Sequence, residues 1–241
     1  MARKASARKA SRSKARAPRN ISASGKPARD RVIDAFLALL TDKPFEQIGF
    51  AELAGTAGVS LSELRAEFGS TLSVLAAHIK ETDRRVLADV DPDMAEESPR
   101  ERLFDVLMHR LELLAPHKPA IRSLMRSVPR DPGLALALNT FGVRSQQWML
   151  AAANINSSGP KGMVRAQGLA VLFANVLRTW VDDDDNGLAR TLAAVDRELA
   201  RGQRFAGLLD ELCRIPERAC RMVGEIRRPR RRRERDEAVA V

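Results

Sequence analysis

Residues 49–70, GFAELAGTAGVSLSELRAEFGS, constrain this chain more than any other stretch. Leu53 and Ala54 give the inner side of a short helix. Gly58 follows as a residue that takes a left-handed backbone without a Cβ penalty, and Val59 as an apolar plug. Ser60 then stands at an N-cap position with Glu63 three residues on, the spacing at which side chain and backbone satisfy each other's orphan groups. Leu64 and Phe68 continue at helical spacing. The pattern is a helix, a tight turn and a second helix, of the kind that lies in a DNA groove. Its charges run the other way: Glu52, Glu63 and Glu67 stand against Arg65 alone between Gly49 and Thr71, a local charge of −2.

The flanks agree with helices throughout. Val32, Ile33, Phe36, Leu37, Leu39 and Leu40 predict a first helix over about 30–41, broken by Pro44 and Phe45. Gly69 ends the third helix, and Ser70 can cap a fourth, with Leu72, Leu75, Ala76 and Ile79 inside it, reaching about Val90. An acidic linker, DVDPDMAEESP, ends in Ser98, Pro99 and Glu101, a strong helix start. Leu103, Phe104, Leu107, Met108, Leu111 and Leu114 make the next stripe, which stops at Pro116. A shorter helix follows Pro119, a long one opens at Asp131 and Pro132, and NSSGPKG separates that from an apolar helix over 163–181. DDDDNG then leads into a last helix with Leu188, Leu192, Val195 and Leu199. Aromatics are only 4% and Tyr is absent, so the core rests on aliphatic side chains. The expected class is all-α.

The net charge of +10 is not spread evenly. Residues 1–29 hold ten Lys or Arg and no acid, residues 225–241 add +3, and residues 30–224 sum to −3. The expected organisation is a disordered basic arm over 1–27, a helix-turn-helix headpiece over 28–80, a helical bundle over 81–215 and a disordered Arg-rich tail over 216–241. The arm is Arg- and Ser-rich, as organelle transit peptides are, yet it has almost no apolar face beyond alanine. No apolar run approaches the roughly 18 residues of a membrane span, and Cys213 and Cys220 fit neither a zinc site nor a disulfide framework. A cytoplasmic setting is expected.

DAFLALL, KPFEQIGF, ELAGTAGVS, LRAEF and GST together resemble the TetR family of bacterial transcriptional regulators over about residues 28–80; the helical remainder agrees in the number and length of its helices. Leu53, Ala54, Ala57, Gly58, Val59, Ser60, Leu64 and Phe68 match framework positions, which testify to fold rather than to DNA binding. Arg65 stands where the family has a tyrosine and Thr71 where it has a lysine. The resemblance implies a homodimer that binds double-stranded DNA through Gly58, Ser60, Leu61, Ser62, Arg65, Ser70 and Thr71. It also implies a small apolar effector in the bundle, for which Phe104, Met108, Leu111, Met125, Trp148, Phe173 and Trp180 are the candidate lining. A second resemblance, of LRTWVDDDDNGLARTLAAVDREL to TetR-like proteins of ubiquinone biosynthesis, implies instead an isoprenoid-binding accessory protein whose helix-turn-helix does not read DNA.

Other chemistry finds little support. Asp182, Asp184, Asn186 and Gly187 fit the opening of a calcium loop, but Ala193 stands where the bidentate Glu is required. His78, His109 and His117 have no metal-ligand spacing. No nucleophile elbow or phosphate-cradling glycine loop occurs, so no enzyme activity, metal or cofactor is expected. The amphipathic QRFAGLLDELCRI, next to the Arg-rich tail, fits bundle closure, a dimer face or contact with a membrane surface.

Overall fold

The computed structural model describes residues 25–185 and 187–204, and among these there is no strand. A short first helix, α1 (Ala28–Asp42), leads through a 3-10 turn (Phe45–Gln47) into α2 (Phe50–Ala57) and α3 (Leu61–Glu67). The longer α4 (Thr71–Ala88) connects this headpiece to α5 (Pro99–Leu114), α6 (Lys118–Ser127), α7 (Pro132–Ala152) and α8 (Gly159–Trp180). A ninth helical stretch, α9, covers 189–204. The tails and the residues Phe205 to Leu212, Cys213 and Cys220 lie outside the described residues.

Local chemistry fixes the starts. Ser60, Ser70 and Ser98 each accept from the backbone three residues on, and each forms a full capping box, with Glu63, Ser73 and Glu101 respectively. Asp131 caps α7 by accepting from the Leu134 amide at 2.9 Å, with Pro132 at the first helical position. Between α4 and α5 the acidic linker forms a 3-10 turn (Pro92–Glu96), pinned where Arg102 donates to the carbonyls of Glu97 and Ala153.

Packing joins headpiece and bundle through α6. The headpiece core, with Val32, Phe36, Leu40, Leu53, Leu64 and Val74 all buried, runs on into Ala120 and Leu124 of α6 and Leu134 of α7. Two α6 hydroxyls add hydrogen bonds to the headpiece backbone: Ser127 Oγ accepts from the Phe45 amide at 3.2 Å and Ser123 Oγ donates to the Lys43 carbonyl at 3.2 Å. The second core lies between α5, α7, α8 and α9, around Leu107, Leu111, Met149, Val176 and Trp180. At the junction of α4 and α6, His78 and His117 meet edge to face with ring centroids 5.3 Å apart. Burial, then the neighbouring His117, pushes His78 down to about 4, so both rings pack as neutral imidazoles at neutral pH.

The aspartate turn after α8 serves as a latch on α6. Lys118 donates to the Asp183 carbonyl and Arg122 to the Val181 carbonyl, while Arg122 pairs with Asp182 at 3.3 Å. Asp183 accepts from Thr191 through both its amide (2.8 Å) and its hydroxyl (2.6 Å), and these bonds hold its carboxyl below the usual carboxylate value. Asp185 accepts from the Ala189 amide at 3.4 Å, where α9 begins. Acids at that helix start agree with the sign of the helix dipole. The partners on α6, some sixty residues earlier in the chain, were not foreseeable from the turn itself.

Candidate nucleic-acid interface and bundle cavity

The turn between α2 and α3 is built around Gly58, whose backbone is left-handed at φ 62° and ψ 38°. Its amide donates to Gly55 and the Val59 amide to Ala54, closing the last turn of α2. Arg31 of α1 reaches across, its Nη1 donating to the carbonyls of Ala57 (3.1 Å) and Gly58 (2.9 Å). A cation at a helix C-terminus answers both the orphan carbonyls and the dipole. A Cβ added at Gly58 meets only Arg31 Nη1, at 3.5 Å, an ordinary contact. The cost of Gly58→Ala is therefore conformational, about 1–2 kcal/mol. Urea unfolding should show that loss, with Gly58→Asn losing less because Asn tolerates the left-handed region.

α3 turns Leu64 inward, with Phe68 just beyond it, and leaves Leu61, Ser62, Glu63, Arg65, Ala66 and Glu67 exposed. Ser60 and Gly58 are exposed beside them, and Ser70 and Thr71 lie half-buried at the start of α4. The seven candidate DNA-facing residues thus lie in the α2–α3 turn, on α3 and at the start of α4, with Gly58, Ser60, Leu61, Ser62 and Arg65 exposed.

Each of the three acids in this segment is engaged within the headpiece. Glu63 Oε2 accepts from the Ser60 amide and hydroxyl, both at 2.8 Å, and those bonds lower its pKa from the ordinary glutamate value. Lys43 pairs with Glu52 at 2.5 Å. Arg29 approaches Glu67 at 3.9 Å while lying over the Phe68 ring at 5.1 Å. Arg65 has no carboxylate within ion-pair distance among the described residues. The local charge of −2 therefore overstates the repulsion that this face offers a polyanion. The neutralising cations on α1 and in the loop after it lie outside the stretch that was summed.

The bundle cavity, about 730 Å³, sits at the end of the bundle where α5 begins, α7 ends, α8 begins and α9 ends. Leu103, Leu150, Ile155, Val164, Leu169 and Leu172 form much of its apolar wall. None of the seven residues expected to line a ligand site does so here. Leu111, Phe173 and Trp180 are buried in the second core, and Phe104, Met108 and Met125 pack half-buried against it. Trp148 is 58% exposed on α7. Large apolar side chains at helical spacing fill the space between helices, while the cavity opens where helix ends diverge and smaller residues such as Gly168 stand.

No family model matches this sequence, and no curated protein does. Solved structures do. A TetR transcriptional regulator from Nitrosomonas europaea superposes with a TM-score of 0.58 at 20% identity, covering 74% of this chain and 99% of that one. The fold is that of the TetR-family regulators. A second TetR regulator, from Rhodococcus sp. RHA1, matches at a TM-score of 0.50 and 20% identity, over 73% of this chain and 95% of its own. Among the described residues no group of acids, histidines or cysteines could hold a metal ion, and no helix is long and apolar enough to cross a membrane.

Proposed function

We propose that this chain is a DNA-binding transcriptional regulator, acting as a homodimer whose two headpieces enter successive major-groove faces about 34–36 Å apart. The observation that carries the reading is the state of α3: its acids are engaged, and Arg65, exposed like Leu61 and Ser62, has no ion pair among the described residues. Exposed apolar side chains on α8, Met163 and Val171 among them, favour pairing of two copies through the bundle. A molecule bound in the bundle would act on the headpiece through α6, which holds it by Ser123 and Ser127, and on α6 through the aspartate turn. The shift is bounded by that molecule's differential affinity for the two headpiece spacings.

The test is retention of a duplex carrying the region upstream of the chain's own gene, at physiological salt, against scrambled competitors. Selective retention supports the reading; equal retention of all duplexes overturns it. Arg65→Ala should weaken selective binding by about 1–3 kcal/mol if the guanidinium reads a base edge, and relax selectivity at one position. If it serves a phosphate, the loss is uniform across sequences. Circular dichroism should be unchanged, since Arg65 is exposed.

The apolar cavity favours one other reading, an isoprenoid carrier with no operator. Native mass spectrometry of the freshly purified chain would then show a co-purified isoprenoid, with no duplex retained selectively.

A further inference from the structure

We propose that the bundle cavity binds a free, uncharged molecule with a straight aliphatic body and a terminal hydroxyl, the hydroxyl donating to Glu198 of α9. That such a ligand regulates the headpiece rests on the proposed function; that it binds does not.

The shape comes first. The cavity follows α8 from Pro160 to Asn175, a run of about 22 Å at 1.5 Å per residue. It is therefore a slot rather than a sphere, and its volume falls within the range of about 300–1,000 Å³ typical of small-molecule sites. Leu103, Leu150, Val164, Leu169 and Leu172 wall it, and a Cβ added at Gly168 would meet open space. A slender apolar chain fits between these walls. Its burial supplies affinity and no direction, because the hydrophobic effect is non-directional.

Direction comes from one buried carboxylate. Glu198 lines the slot and is only 8% exposed, so its charge sits in the wall, away from bulk water. Its Oε1 accepts from Arg201 at 2.5 Å, and that arginine side chain is 60% exposed. Its Oε2 is approached by Asn175 Nδ2 at 3.5 Å, the outer limit of a hydrogen bond, while Asn175 Oδ1 accepts from Arg178 at 3.1 Å. No other donor among the described residues reaches Glu198. A carboxylate has about four acceptor sites, and a buried acceptor left unmade costs free energy that a ligand's donor would recover.

Charge then selects the donor. Glu198 is balanced by Arg201, and Arg100, also in the lining, by Asp196. An ammonium head would add an uncompensated cation to this balanced set, and a carboxylate head would face Glu198 itself; both are costly away from water. A hydroxyl donates to Glu198 and leaves the balance unchanged.

The experiment is isothermal titration of the full-length, delipidated protein into decan-1-ol, its isomer nonyl methyl ether, decylammonium and decanoate, each below its solubility or micelle limit. Decan-1-ol should bind one per chain, about tenfold or more tighter than the ether, which has the same atoms and no O–H, and tighter than either ion. Glu198→Leu should bring alcohol and ether to equal affinity while the ether still binds, with Arg201 turning to solvent. Glu198→Gln keeps the shape and an acceptor without the charge. It should leave the alcohol about threefold ahead, because a neutral hydrogen bond has about half the strength of a charged one. Gly168→Phe fills the slot at a helix-interior position, where replacing glycine does not oppose folding, and should weaken alcohol and ether alike by about tenfold or more. The proposal is overturned if alcohol and ether bind the wild-type chain equally, if either ion binds more tightly than the alcohol, or if the preference survives Glu198→Leu. It is overturned equally if Gly168→Phe changes neither affinity, or if the protein binds phosphatidylcholine vesicles carrying diacylglycerol and no free decan-1-ol. None of these readouts involves DNA, so failure of duplex binding leaves the result intact.

Discussion

Asp83→Ala should lower the stability of the folded chain by about 3–5 kcal/mol, because it strands a buried guanidinium. Asp83 of α4 and Arg110 of α5 are 7% and 5% exposed. Arg110 Nη1 donates to Asp83 Oδ1 at 2.5 Å, and Ser145 of α7 donates to the same oxygen at 2.7 Å. The guanidinium also lies over the Phe173 ring of α8 at 5.3 Å. Burial pushes Arg110 below the ordinary arginine value, and Asp83 acts against that shift; without the carboxylate only the burial remains. The double variant Asp83→Leu with Arg110→Met should regain most of the loss, since apolar replacement of a buried pair is often neutral or better. Urea unfolding at neutral pH measures both, and a double variant as unstable as the single one would show that the pair is needed for more than its own compensation. Four helices meet at this pair, α4 among them, and α4 carries the headpiece.

The pair was not legible in the sequence, and the reason is distance. Ser60 with Glu63 and Ser98 with Glu101 could be read because each bond spans three residues and depends on local backbone alone. The left-handed turn at Gly58 was legible for the same reason. Asp83 and Arg110 stand 27 residues apart, each in a helix whose polar residues look solvated until the fold brings them together. The neutralisation of Glu52 and Glu67 by Lys43 and Arg29 was hidden in the same way, so a local charge sum gave the headpiece face the wrong weight. That this cavity is lined by residues other than the seven candidates has another reason. Periodicity reports which side chains are buried, and buried aromatic residues such as Phe173 and Trp180 close space. The wall of this cavity includes Pro160 and Lys161 at the start of α8 and Gly168 within it, which carry no periodic signal.

Removing residues 1–24 should flatten the salt dependence of duplex binding without removing its selectivity. That segment holds eight Lys or Arg and no acid, directly before a headpiece whose Lys43 and Arg29 are paired to acids and whose Arg65 is not, among the described residues. Affinity for a duplex falls with salt by about 0.9 log units per log unit for each phosphate neutralised. If about six of the eight cations reach phosphate, the full chain, with one or two headpiece contacts besides, should weaken about ten-thousandfold between 50 and 200 mM salt. The shortened chain, left with one or two contacts from the headpiece, should weaken about tenfold or less over the same range. Phosphate contacts carry no sequence information directly, whereas on the proposed reading the exposed Leu61, Ser62 and Arg65 of α3 are the ones that meet base edges. The ratio of affinities for the selected and scrambled duplexes should therefore stay the same in both chains, measured at the salt where each binds. If that ratio collapses with the segment, reading resides in residues 1–24, in the manner of an arm that enters the minor groove, and α3 is only a support.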